Sequence, residues 1–127
     1  MAISSIESNQ APSPVGPYSP ALRAGDFLFI SGQIPLTTSG DIITGDIQAE
    51  TRQVLSNIDA LLRVADLTFA NVVKMALFTT DITQFDAIND VYYDYITTRP
   101  FPARSMVEVS ALPRGVRIEM EAICFVK

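Results

Sequence analysis

Between Phe101 and Lys127 the chain reads FPARSMVEVSALPRGVRIEMEAICFVK, an alternating pattern interrupted by charges: Arg104 in one strand-like stretch, Glu119 and Glu121 in the next. An arginine presents a planar fork of N–H donors that matches a carboxylate, and a glutamate one cross-strand step away can hold a water or move a proton. Those two residue types at that spacing could hold a carboxylate-bearing substrate while the glutamate works on a water or a proton. The same spacing also fits plain cross-strand ion pairs worth some tenths of a kcal/mol each, and pattern alone favours that structural reading.

Other stretches carry weaker signals. GPYSPA (Gly16 to Ala21) and SGQIPL (Ser31 to Leu36) are rich in turn residues. In them Tyr18 reads as a partly buried anchor, and Gly32, beside Ser31, would let backbone approach a ligand closely. Asn89 falls on a helix, where a surface role is the ordinary one. Arg99 and Arg104 flank TRPFPAR, but two arginines on an acidic chain do not make a nucleic-acid patch.

The elements that would position these residues follow from periodicity. YSPALRAGDFLFISGQI predicts a hairpin turning at Ala24-Gly25-Asp26, after a loose start containing Pro and Ser. Ile42-Ile43 reads as a short third strand or an extended arm. From Asp46, a suitable N-cap, Ile47, Thr51, Val54, Ile58, Leu61 and Ala65 recur at helical spacing. A strand from about Val72 to Thr80 follows, then a second helix capped by Asp81 or Thr83. Phe85, Ile88, Tyr92, Tyr95 and Ile96 line one side of that helix, and Pro100 and Pro102 end it.

In the tail, alternation puts Ala103, Ser105, Val107 and Val109 on one face and Arg104, Met106 and Glu108 on the other. The final strand sets Val116, Ile118, Met120, Ala122 and Cys124 against Arg117, Glu119 and Glu121. Read as a hairpin through Leu112-Pro113-Arg114-Gly115, the pair opposes Arg104 to Glu121, Met106 to Glu119 and Glu108 to Arg117. Both helices would then cover the apolar face. The other face, with charges, Ser, Met, Ile123 and Phe125, suits a subunit interface.

Composition narrows the chemistry. The 127 residues suffice for one domain, and 48% apolar with 18% charged side chains is a globular balance. A net charge of −5 repels phosphate backbones and anionic membranes, which disfavours nucleic acid as a partner. With no histidine and one cysteine there is no Cys/His zinc site, no Ser-His-Asp triad and no intrachain disulfide. Cys124, in EAICFV, reads as a packing thiol. Residues 1–22 lack the basic and apolar features of a signal or transit peptide, and no stretch has the length of a membrane span, so a cytoplasmic protein is expected.

Taken together, GPYSPA, ISGQIPL, FPARSMVEV and ALPRGVRIEMEAI, in the order hairpin, helix, strand, helix, hairpin, resemble the reactive intermediate deaminase family, RidA, also called YjgF or the endoribonuclease L-PSP family. The resemblance runs from about Ala11 to Phe125. It implies a chorismate-mutase-like α+β fold, a mixed sheet with two helices on one face, forming a homotrimer around a central β-barrel with ligand clefts between subunits. It implies hydrolysis of 2-imino acids, released as enamines by pyridoxal-phosphate dehydratases, to 2-oxo acids and ammonia, without a cofactor. Residue by residue, Arg104 corresponds to the arginine that binds the substrate carboxylate, and Glu119 to the glutamate that positions water. Tyr18 corresponds to the cleft tyrosine, Ser31 and Gly32 to the backbone lining the cleft, and Asn89 to a helix asparagine near the pocket. Position 106 departs: the family commonly has cysteine there, and Met106 keeps only a main-chain contact while its larger side chain reshapes the pocket. Two other readings attach to the resemblance: an endoribonuclease that inhibits translation, and a non-catalytic trimer that senses small carboxylates or acts as a chaperone.

Overall fold

The computed structural model describes residues 3–127. Its strands are β1 (Ile3–Ile6), β2 (Ala21–Ala24), β3 (Phe27–Gln33), β4 (Val72–Thr79), β5 (Ala103–Glu108) and β6 (Ile118–Phe125), and its helices are α1 (Ile47–Val64) and α2 (Phe85–Tyr95). The six strands form one mixed sheet in the order β1-β2-β3-β6-β4-β5, and both helices pack on one face of it.

The first hairpin forms as the sequence predicts: Ala24 pairs with Phe27, and Gly25 takes the left-handed corner at φ +60°. The start of the chain does more than expected, because Ile3–Ile6 adds β1 to the edge of β2. Ile42 makes only an isolated bridge to Leu36.

Helix α1 begins at the predicted cap: the Asp46 carboxylate accepts from the Gln48 N–H at 3.0 Å, and Glu50 Oε2 accepts from the Asp46 N–H at 3.1 Å. Its inward stripe, including Thr51, Val54, Leu55, Ile58, Leu61 and Leu62, is fully buried against the sheet. Asn57 is buried as well. Its Nδ2 donates to the carbonyls of Ile34 and Leu36 at 3.0 Å each, fixing the chain just after β3 to the helix. At the second helix neither Asp81 nor Thr83 caps α2 itself, which follows Gln84 without a side-chain cap; Asp81 caps the turn before it. It accepts from the Thr83 N–H across a 3₁₀ turn, Ile82–Gln84, that runs into α2.

The tail is where expectation and structure part. β5 and β6 are not a hairpin, because β4 lies between them, antiparallel to β6 and parallel to β5. β4, α2 and β5 make a strand–helix–strand crossover, the connection that parallel neighbours require. Arg104 therefore pairs with Met75, Met106 with Leu77, Glu119 with Phe78 and Glu121 with Ala76. The expected pairing of Glu108 with Arg117 also fails. Arg117 instead reaches Glu50 through two donors, Nε to Oε1 at 3.1 Å and Nη2 to Oε2 at 2.5 Å, while Glu108 Oε1 accepts from the Ile82 N–H.

The faces of β5 are reversed relative to the expectation. Residues paired across a ladder share a face. Opposite buried Met75 and Leu77, Arg104 and Met106 thus turn toward the helices, and Met106 packs against the core. Ala103, Ser105 and Val107 turn outward, Val107 with 46% of its surface exposed. β6 behaves as predicted, with Ile118, Met120, Ala122 and Cys124 all buried. Burial pushes the Cys124 thiol up to about 12, which leaves it an inert packing group. No described helix is long and apolar enough to cross a membrane.

Candidate functional site

The predicted site residues separate into two clefts on opposite faces of the sheet. Met75 and Phe78 are three positions apart on β4, an odd step, so they project to opposite sides. Their partners Arg104 and Glu119 do the same. Within one chain, the arginine and the glutamate do not meet.

The first cleft, of about 360 Å³, is open and contains Tyr18, Ser31, Gly32, Glu119, Glu121 and Pro113 in its lining. A register shift between Ile30 and Gln33 breaks the β3–β6 ladder at Ser31-Gly32, so two residues leave regular pairing where the cleft forms. Ser31 ties this bulge to the segment before β2. Its N–H donates to Pro20 O at 2.9 Å, and its Oγ donates to Ser19 O at 2.7 Å. Tyr18 stands at the rim, largely exposed, with its hydroxyl accepting from the Val15 N–H at 3.4 Å.

Gly32 is there because Glu119 occupies the space a side chain would need. A Cβ at position 32 would lie 2.5 Å from Glu119 Oε2 and 2.8 Å from its Cδ. The end of the Glu119 side chain thus packs directly against the bulge. Burial, and then the negative charge of Glu121 beside it, raise the Glu119 pKa above the usual carboxylate value. A half-buried glutamate that holds its proton more tightly than normal suits a group that takes and returns protons.

The second cleft, of about 260 Å³, lies between α2 and β5 and is lined by Asn89, Tyr92, Tyr93, Phe101, Pro102 and Arg104. The Arg104 guanidinium carbon lies 4.7 Å from the centre of the Tyr92 ring and 5.9 Å from that of Phe85. Among the described residues it has no carboxylate partner and no side-chain hydrogen bond. Among the described residues, Asn89 Oδ1 and the Tyr92 hydroxyl are buried without hydrogen-bond partners. Burial raises the Tyr92 pKa, against the pull of the Arg104 charge, so the phenol stays protonated. Arg99 braces the outer wall, its guanidinium 3.7 Å over Phe101 and 5.0 Å from Tyr93, with Nη1 donating to the carbonyls of Ile96 and Thr98.

The structure thus groups Tyr18, Ser31, Gly32 and Glu119 in one cleft and Asn89 and Arg104 in the other; Met106 lines neither. Sequence reasoning overlooked Tyr92 and Phe85 as neighbours of Arg104. Their spacing of seven, two turns of α2, was visible, but it was read as core alone.

Comparison with known proteins places the chain in a family. A family model described as Endoribonuclease L-PSP matches residues 8–126. A RutC family protein of Pyrococcus horikoshii is 47% identical over 121 residues, covering 94% of this chain and 95% of the relative. A 2-iminobutanoate/2-iminopropanoate deaminase of the goat, Capra hircus, is 42% identical over 119 residues, covering 93% and 86%. Among solved structures, a Rid family protein, YyfA of Yersinia pestis, superimposes with a TM-score of 0.95 at 48% identity, covering 98% of this chain and 100% of that one. E. coli TdcF, solved with bound serine, gives 0.91 at 37%, covering 96% and 98%. With the family model matching residues 8–126 and these relatives covering more than nine tenths of its length, the chain belongs to the RidA/YjgF family.

Proposed function

We propose that this protein hydrolyses small 2-imino acids to 2-oxo acids and ammonia, in clefts completed between the subunits of a homotrimer. The observation that carries the reading is the division of the site. A guanidinium with free donors lies on one face and a carboxylate of raised pKa on the other, so neither cleft alone holds both chemical functions. A second copy that sets its Arg104 cleft against the Glu119 cleft of its neighbour completes the site. The outward sheet face supports such packing: Phe27, Phe29 and Phe125 expose 42%, 44% and 38% of their surfaces beside Ile123, an apolar patch of the kind subunits cover. The match to the goat deaminase supports the substrate class.

In this mechanism Arg104 holds the substrate carboxylate through two parallel N–H donors. Gly32, lacking a side chain, lets backbone approach the imine, and Tyr18 covers the cleft. Glu119 accepts a proton from water as the water oxygen bonds to the imine carbon, and returns that proton to the imine nitrogen. The resulting carbinolamine loses ammonia as its hydroxyl becomes the carbonyl of the 2-oxo acid. Imines already hydrolyse in water, so positioning carries most of the acceleration.

The test generates 2-iminobutyrate with a threonine dehydratase and follows its trapping by semicarbazide. The protein should suppress trapping and Arg104→Ala should not, with light scattering reporting a trimer for both. Failure of the folded wild-type trimer to suppress trapping, together with saturable 2-oxobutyrate binding, would leave a non-catalytic carboxylate sensor. The description of the matching family model favours a second reading, endoribonuclease. RNA cleavage that persists through repurification and is lost in Arg104→Ala would establish it against the field of a chain with net charge −5.

A further inference from the structure

Arg104 poses a problem of orientation. A guanidinium on a long stem has many rotamers, and arginines that must be held in one plane usually lie against a carboxylate or a set of carbonyls. Within this chain Arg117 is held by Glu50 and Arg99 by two carbonyls. Arg104 has neither kind of partner among the described residues. It has two aromatic faces instead, Tyr92 at 4.7 Å and Phe85 at 5.9 Å.

The difference matters for an anion clamp. A carboxylate partner would occupy the in-plane N–H donors and cancel the charge. An aromatic ring attracts the cation through its π face and leaves the donors vacant. The two rings come from one helix face, since Phe85 and Tyr92 are two turns apart on α2. Tyr92 is fixed there: only 5% of its surface is exposed, and it packs in the core with Ile88 and Val91. Its hydroxyl has no partner among the described residues, and the ring is the part that bears on Arg104.

We propose that Tyr92, seconded by Phe85, is a positioning residue: an aromatic platform that fixes the plane of the Arg104 guanidinium while leaving its donors for a substrate carboxylate. This rests on the carboxylate-clamp reading of Arg104. It adds the reason why the clamp is ordered before substrate arrives.

The test uses the full-length protein labelled with ¹⁵N-arginine and measures two things: the Arg104 Nε–Hε resonance, assigned by its loss in Arg104→Lys, and calorimetric affinity for 2-oxobutyrate. In wild type the ring currents should displace the resonance from its free-arginine position. Tyr92→Leu should return it toward that position and weaken binding roughly three- to thirtyfold. Tyr92→Phe should restore both most of the way, and Phe85→Leu, the more distant ring, should give a smaller change in the same direction. These two milder variants keep the test decisive if Tyr92→Leu fails to fold. A resonance unmoved by Tyr92→Leu, or a loss of affinity in Tyr92→Phe equal to that in Tyr92→Leu, overturns the platform. If Arg104→Ala loses binding while Tyr92→Leu keeps it, the clamp stands and the platform alone falls. If Arg104→Ala binds 2-oxobutyrate as wild type does, the clamp reading falls and takes the proposal with it.

Discussion

Arg104 and Arg117 show how differently one residue type can be used in adjoining parts of a sheet. Arg117 closes a two-pronged ion pair on Glu50, a carboxylate with 2% of its surface exposed, and the two hold helix α1 to the chain entering β6. Glu50 is the first cause of the upward shift in the Arg117 pKa. Arg104 lies on aromatic rings with its donors unspent. Satisfaction marks the structural arginine; a free, oriented fork marks the one available to a ligand.

Exchanging the two outcomes is the strongest way to break that comparison. Arg104→Ala should reduce kcat/KM for imine hydrolysis by two orders of magnitude or more, the loss of two charge-assisted hydrogen bonds at roughly 1.5–3 kcal/mol each, while the urea midpoint barely moves. Arg117→Ala should do the reverse in kind. It strands a buried carboxylate and should cost about 3 kcal/mol of stability by urea unfolding, near the low end for such pairs because the Arg117 side chain keeps 37% of its surface exposed. Equal stability losses in the two variants would end the distinction.

The next effect sharpens the role of the other cleft. Gly32→Ala places a methyl group 2.5 Å from Glu119 Oε2, but the obstructing atoms belong to the end of a side chain and no positive φ strains the alanine. The carboxylate should therefore move while the fold stays. Displacement by about an ångström predicts a fall in kcat on the order of 10²-fold with the unfolding midpoint little changed. A normal kcat in Gly32→Ala would mean that the position of Glu119 is not what the bulge preserves.

These contrasts also explain what could be read in advance. The helix stripes, the Asp46 cap, the first hairpin and the buried face of β6 were legible because each buries one side completely, so periodicity and packing say the same thing. β5 lies at the sheet edge. Both of its faces are half open, and small or branched residues at 103, 105 and 107 are exposed while Arg104 and Met106 turn toward the helices. Alternation gives a two-residue period but not its sign when no face is fully buried. The pairing error had a second source: a strand, a helix and a strand in succession signal a parallel crossover, and that signal in β4-α2-β5 was outweighed by a turn-rich loop before β6. Tracing Arg104 to Tyr92 required knowing that β5 returns beside α2. β1 was missed because ISSI is short and half serine.

A smaller change should follow from Glu121. Its charge is the second cause, after burial, of the raised Glu119 pKa. Glu121→Gln should move the acidic limb of the kcat/KM profile to lower pH, because Glu119 then ionises more readily. An acidic limb that stays in place would assign the limb to another group.

The smallest expected effect concerns stability, and its sign follows from the same shift. The folded pKa of Glu119 lies above its unfolded value, so between the two the folded state binds more proton than the unfolded chain. Stability from this group is therefore greatest below the unfolded pKa and falls as pH rises through the folded one. Glu119→Gln, which cannot ionise, should flatten that part of the urea-midpoint profile while lowering turnover more than ligand affinity. Arg104→Ala should move that part of the profile to higher pH, because a neighbour's guanidinium set against Glu119 favours its ionised form and removing it raises the pKa further. A site residue that costs the fold something at its working pH is set by chemistry, and an arginine whose loss barely moves the unfolding midpoint is set by its ligand; a pH profile unaltered by Arg104→Ala would show that the two clefts do not meet across subunits.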